Sequence, residues 1–181
     1  MFPIRLLADR PEDRGALCAL LVATVAEGGS VGFMHPLEDR AAAAFWQTAF
    51  ADQARGGRAI FGAFEDQALV GSVTLHLIAW PNQPHRAEVG KLMTSPGRRG
   101  RGVGRALMSA LERRALELGR TLLVLDTAVD GGASGFYTRL GWTPAGEIPD
   151  FALKPHGGLT GTRLYWKRLE TQGPTGPPLG P

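Results

Sequence analysis

Cysteine is almost missing from this chain. Cys18 stands alone among 181 residues, so no internal disulfide can form, which suits a reducing compartment. The four histidines, His35, His76, His85 and His156, are scattered without the spacing of a metal site, and no metal is expected. No apolar run approaches the roughly 20 residues of a membrane-spanning helix; the longest covers residues 16–26. Arg5, Asp9 and Arg10 interrupt the stretch where a secretory leader would be apolar. These absences point to a soluble, cytoplasmic protein with no membrane partner. A net charge of +3 does not mark a nucleic-acid binder. The one arginine cluster also has no aromatic residues between its members for bases to stack on, so no nucleic-acid partner is expected.

What the chain does contain is enough apolar residue, 44%, to build a core, which excludes disorder for its body. Its length predicts one domain over residues 1–170, followed by a disordered Pro/Gly-rich tail at 171–181. Residues 4–8 read as a short strand. Asp9 is placed to cap a helix with Pro11 in its first turn, and Leu17, Leu20, Leu21 and Val25 recur at helical spacing until Gly28-Gly29. A second helix follows Pro36 and stops at Gly56-Gly57. The period then changes. Residues 58–64 and 69–80 read as two strands joined by a tight turn, and residues 88–94 as a third. A helix from Gly102 to Gly119 leads into residues 122–125, whose unbroken apolar run suits a buried parallel strand. Ala133, Phe136 and Leu140 mark a short helix closed by Gly141, and strands are predicted near residues 142–146 and 162–169. The order β-α-α-β-β-β-α-β-α-β-β implies an α/β (α+β) fold around one mixed sheet.

The densest chemical signal is the run Arg98, Arg99, Gly100, Arg101, Gly102, Val103, Gly104, Arg105, between a strand and a helix. Glycines let a ligand approach the backbone, and a helix N-terminus offers unpaired N–H groups and a positive dipole end, so the run suits a phosphate or pyrophosphate. No Gly-Lys-Ser/Thr follows, which excludes a Walker A loop. Arg105 occupies the third glycine position of the dinucleotide fingerprint, which excludes that too. The pattern that fits is R-x-x-G-x-G, from Arg99 through Gly102 to Gly104.

That pattern resembles the coenzyme A pyrophosphate loop of the GNAT superfamily of N-acetyltransferases. The surroundings agree: an amphipathic helix, the buried strand with Asp126-Thr127 after it, then Phe136-Tyr137 and Leu140-Gly141-Trp142. Segments 28–34, 86–93, 125–127 and 146–151 are similar to those of the tabtoxin-resistance branch of that superfamily. The resemblance implies a GNAT-like fold whose fourth and fifth strands splay apart, and acetyl-CoA (coenzyme A) as the cofactor. It implies acetyl transfer to a small-molecule amine acceptor, with an amino-acid-like antibiotic or toxin as the favoured kind. A non-catalytic acyl-CoA sensor of the same fold is the alternative, but it would need none of the catalytic candidates below.

By resemblance, Leu92, Met93 and Thr94 hold the pantetheine arm, with the Leu92 N–H aimed at the thioester oxygen, and Arg99, Gly100, Arg101, Gly102, Val103 and Gly104 hold the pyrophosphate. Glu88 lies four residues before Leu92 in a strand, which predicts a shared face and makes it a candidate base. Asp126, at the end of the fifth strand, is a second candidate base, with capping of the following turn as its ordinary alternative. Tyr137 is the candidate proton donor to the departing thiolate, with core packing as its alternative. Phe33 and Met34, on the glycine-rich loop after the first helix, and Asp150, facing them by resemblance, are the candidate acceptor wall.

Overall fold

The computed structural model describes residues 2–131 and 134–170. The predicted tail at 171–181 and the helix marker Ala133 lie outside those residues. The elements in chain order are β1 (Ile4–Leu6), α1 (Pro11–Ala26), α2 (Asp39–Ala54), β2 (Arg58–Glu65), β3 (Ala68–Leu77), β4 (Arg86–Thr94), α3 (Val103–Glu117), β5 (Leu122–Ala128), α4 (Ser134–Arg139), β6 (Thr143–Leu153) and β7 (Leu159–Arg168). The seven strands form one mixed sheet in the order β1-β2-β3-β4-β5-β7-β6, with β4 and β5 the parallel pair. No described helix is long and apolar enough to cross a membrane.

Strand alternation divides the core into two layers. Ala59 and Phe61 of β2, Val73 and Leu75 of β3, Ala87 and Val89 of β4 and Leu123 and Leu125 of β5 pack with Val103, Leu107, Met108 and Leu111 of α3. On the opposite face, Ile60 and Met93 pack with Leu17, Leu20, Leu21 and Val25 of α1 and Ala42, Trp46, Ala49 and Phe50 of α2. The helical spacing read for α1 is therefore its buried stripe.

Four local expectations are corrected. Asp9 does not cap α1; Arg10 holds the N-cap position without a side-chain bond, and Asp9 pairs instead with Arg14 at 3.1 Å. β3 ends at Leu77, before the turn that contains Trp80. β5 runs on to Ala128, so Asp126 sits inside the strand. β6 continues past Gly146 to Leu153, carrying Pro149 because it is an edge strand with nothing beyond it to receive a missing N–H.

The feature that places the site is a break in pairing along β4. Its parallel ladder with β5 is paired at Arg86, Ala87 and Glu88, against Leu122, Leu123 and Val124. Its antiparallel ladder with β3 pairs Thr74 with Gly90 and Ser72 with Met93, so β4 carries one extra residue there. Lys91, in the bulge, has φ +52°. The Thr74 hydroxyl donates to the Gly90 carbonyl at 2.8 Å, which leaves its oxygen to accept from His76 Nε2 at 3.1 Å. His76 is therefore the Nε2–H tautomer. Burial, with Arg58 and Lys91 nearby, pushes its pKa down to about 4.

Candidate active site

Two cavities open where β4 and β5 part. The larger, about 790 Å³, runs from Leu92, Met93 and Thr94 across Arg98, Arg99 and the glycine loop to Arg105, and is walled by Thr127, Phe136, Tyr137 and Arg139. The smaller, about 290 Å³, is lined by Ser30, Val31 and Gly32 of the α1–α2 loop, by Val89 to Leu92, by Asp126 to Ala128, and by Phe151, Ala152 and Thr162. Ser30, Val31, Leu92, Thr127, Ala128, Tyr137 and Thr160 line both, so the cavities meet there.

The larger cavity fits a long, phosphate-bearing ligand. Gly100 and Gly102 have φ +74° and +91°, which L side chains rarely adopt. Beyond the adjoining residues, no heavy atom lies within 4 Å of the point where a Cβ of either would sit, so the loop backbone is uncrowded there. Gly102 is the N-cap of α3, and the first N–H groups of that helix have no intrahelical acceptor. Arg99 and Arg105 line the cavity and form no ion pair among the described residues. Arg98 lines it too but is ion-paired with Glu65 of β2.

Every expected cofactor residue lines this cavity except Arg101. Its guanidinium pairs with Glu65 at 3.1 Å and lies outside the lining. Arg98, Arg105, Phe136 and Arg139 line it without having been anticipated. The arginine cluster itself signalled Arg98 and Arg105. Nothing in the local sequence signalled Arg139.

Tyr137 stands at the junction and Asp126 beside it in the smaller cavity; Glu88 lines neither. Leu123 and Leu125 face α3, so Asp126 faces away from it, into the smaller cavity. The Thr162 hydroxyl shares its one proton between Asp126 Oδ2 at 2.9 Å and the Thr127 carbonyl at 3.2 Å, which ties the carboxylate across the β5–β7 pair; among the described residues Asp126 caps no turn. Tyr137 is 7% exposed, with its ring against Phe136, Trp142 and Tyr165. Burial, with the charges of Asp126 and Tyr165, pushes its hydroxyl up to about 12. Glu88 is half-exposed, pairs with Arg86 at 2.8 Å and lines neither cavity. The expected shared face with Leu92 fails because the bulge inserts a residue between them: Leu92 packs with the α3 layer beside Ala87 and Val89, which alternate with Glu88.

The neighbours of the acceptor-wall candidates place them outside the smaller cavity. Phe33 packs edge-to-face on Phe45 of α2, with ring centroids 5.3 Å apart, within the α1–α2 layer. Met34 is exposed, and Asp150 is exposed at φ +50°. None of the three lines the smaller cavity; Ser30, Val31, Gly32 and Phe151 do. The smaller cavity is thus lined by neighbours of Phe33 and Asp150 in the same two segments rather than by those residues themselves. Among the described residues, no cluster of His, Cys, Asp and Glu could hold a metal ion.

The mixed sheet, its parted parallel pair and the glycine loop at the N-terminus of α3 define an acetyltransferase of the GNAT kind. A sequence model of the acetyltransferase (GNAT) family matches residues 30–142, and the chain belongs to that family. Solved structures share the fold. An N-acetyltransferase from Staphylococcus aureus Mu50 superposes with a TM-score of 0.76 at 19% identity, over 93% of this chain and 99% of that one. A ribosomal-protein-alanine N-acetyltransferase from Brucella melitensis gives 0.79 at 21% identity, over 92% and 99%. The yncA protein of Salmonella typhimurium, solved with its cofactor acetyl-CoA, gives 0.78 at 18% identity, over 96% of each chain.

Proposed function

We propose that this enzyme transfers the acetyl group of acetyl-CoA directly to the amine of a small molecule, with the coenzyme in the larger cavity and the acceptor in the smaller. The observation that carries this is the meeting of the two cavities at Leu92 and Tyr137, with Asp126 on the acceptor side. Bound acetyl-CoA supplies a thioester-activated acetyl group. The α3 N-terminus with Arg99 and Arg105 binds the phosphates, and Leu92, Met93 and Thr94 guide the pantetheine arm. Leu92 lies in the stretch of β4 past its pairing with β5, and its N–H is assigned as the donor to the developing oxyanion.

Asp126 accepts the proton the amine must lose, and Thr162 holds its carboxylate in place. Tyr137 donates its O–H to the departing sulfur. Glu88 lies outside both cavities, and the role of base falls to Asp126. The cavity near 290 Å³ lies at the small end of ligand pockets, which favours a compact acceptor over a folded protein. The likeness to the tabtoxin-resistance branch favours an amino-acid-like one.

The test is an acceptor screen with acetyl-CoA and a free-thiol readout. Acceptor-dependent thiol release is expected from small primary amines. Acetyl-CoA that fails to raise the melting temperature, or thiol release from no amine, would refute the reading.

A further inference from the structure

Lys91 is the cation the proposed chemistry leaves over. It lines the smaller cavity, and the positive φ of the bulge aims it there. Its Nζ lies 3.6 Å from where a Cβ of Gly32, another lining residue, would sit. The Phe45 and Phe33 rings hold the ammonium from behind, with their centroids 5.3 and 5.8 Å from Nζ. No carboxylate or carbonyl among the described residues accepts from it, and Asp126, in the same cavity, is not within ion-pair distance.

Taking the smaller cavity as the acceptor site, as proposed above, we infer that Lys91 reads an anionic group on the acceptor. The acceptor is then a zwitterion: a free amino acid or close analogue whose amine goes to Asp126 and whose carboxylate goes to Lys91. Aromatic faces stabilise a cation without neutralising it, so the half-buried ammonium keeps its demand for a counter-anion. Burial and Arg58 already push Lys91 below the usual lysine range, while Asp126 opposes that shift. A plain cationic amine entering this cavity would add charge of the same sign. A zwitterion satisfies both fixed charges at once, and an amine whose carboxylate is capped as an amide satisfies one. The same logic disfavours a peptide N-terminus, whose neighbouring carbonyl is an amide.

The experiment compares the common free α-amino acids with their carboxamides as acceptors, for the wild type, Lys91→Met and Lys91→Arg. Acetyl-CoA-induced thermal stabilisation serves as the check that each variant is folded, since Lys91 lies outside the larger cavity. In the wild type, at least one free acid is expected to exceed its amide by tenfold or more in kcat/KM, the scale of one charge-assisted hydrogen bond. Lys91→Met should erase that preference through a raised KM for the acid, and Lys91→Arg should restore part of it. If amides and plain amines are acetylated as well as the acids are, or if Lys91→Met keeps the preference, the inference falls and the acceptor-site reading stands. If no amine of any kind is acetylated while acetyl-CoA still binds, the acceptor-site reading falls and the inference goes with it.

Discussion

Replacing Tyr137 with phenylalanine removes one oxygen at the junction of the two cavities and leaves the ring among Phe136, Trp142 and Tyr165. Its pKa of about 12 decides how that oxygen can act. A simple thiol has a pKa near 8.5, so complete proton transfer from this phenol to a thiolate is uphill by roughly 5 kcal/mol at about 1.36 kcal/mol per pK unit. Tyr137 therefore keeps its proton and stabilises the leaving sulfur by donating a hydrogen bond to it. A hydrogen bond to a charged group contributes about 1.5–3 kcal/mol, which corresponds to a fall in kcat of roughly ten- to more than a hundredfold in Tyr137→Phe. Acetyl-CoA binding should persist, because the ring still walls the groove.

The pH dependence follows from the same shift. The phenol stays neutral through pH 10, so the wild-type rate should show no alkaline fall there that the phenylalanine variant lacks. Stability behaves differently. The unfolded tyrosine ionises near pH 10 and the folded one near 12, so only the unfolded chain releases the proton as pH rises between them. The fold therefore loses stability over that window, by up to roughly 3 kcal/mol, and Tyr137→Phe should not show the loss. Single-turnover acetyl transfer and thermal melts from pH 7 to 11 measure both. An unchanged rate in Tyr137→Phe, with chemistry shown to limit turnover, would refute the donor role. A wild-type alkaline limb centred near pH 10 that vanishes in the variant would refute the raised pKa.

Asp126→Asn should lower kcat about a hundredfold or more at neutral pH while acetyl-CoA still stabilises the protein in a thermal-shift assay. Gly102→Val should weaken acetyl-CoA binding by calorimetry, because a valine strains the left-handed backbone by about 1–2 kcal/mol and shifts a loop that lines the larger cavity. Arg105→Ala should weaken coenzyme binding about tenfold and reduce its salt dependence, whereas Arg101→Ala, tied to Glu65 outside the groove, should change it less than twofold. Asp13 is buried and accepts from Arg5 at 2.6 and 2.9 Å and from the Ala8 N–H at 3.1 Å. Asp13→Asn should therefore cost about 2 kcal/mol in denaturant unfolding. The Arg5 hydrogen bonds hold the Asp13 carboxyl below its ordinary range, so its contribution is present above pH 4 and is lost as pH falls further; the variant should lack that acid limb.

Layers and loops were legible because they follow from residue spacing. The stripes of α1 and α3, the alternation in β2 and β3 and the apolar run of β5 each encode a buried face directly. The glycine–arginine run encodes a backbone conformation, since φ near +74° and +91° is reserved largely for glycine. Side-chain direction within a segment is a different quantity. Val31 and Phe33 both pack on the α1–α2 layer, yet only Val31 also reaches the smaller cavity, because Phe45, on another element, draws the Phe33 ring to itself. Arg101 and Arg99 differ because Glu65, thirty-odd residues upstream, captures one and not the other. Partners of that kind leave no trace in the local pattern.

The bulge in β4 is the most consequential of these hidden determinants. Period-2 reasoning from Glu88 to Leu92 assumes an unbroken strand, and one inserted residue reverses the face of everything after it. Gly90, at its edge, is the one local hint, since an isolated glycine in a strand often marks a bulge, but it is Lys91 that takes the positive φ. What holds it lies across the sheet, in the Thr74 hydroxyl on the Gly90 carbonyl and the neutral His76 behind it. The same insertion that carries Leu92 to the face opposite Glu88 also swings Lys91 into the smaller cavity. A straight β4 would lose both placements together. Deleting the extra residue should therefore remove acetyl transfer and any preference for an anionic acceptor in one step, even if the sheet still forms.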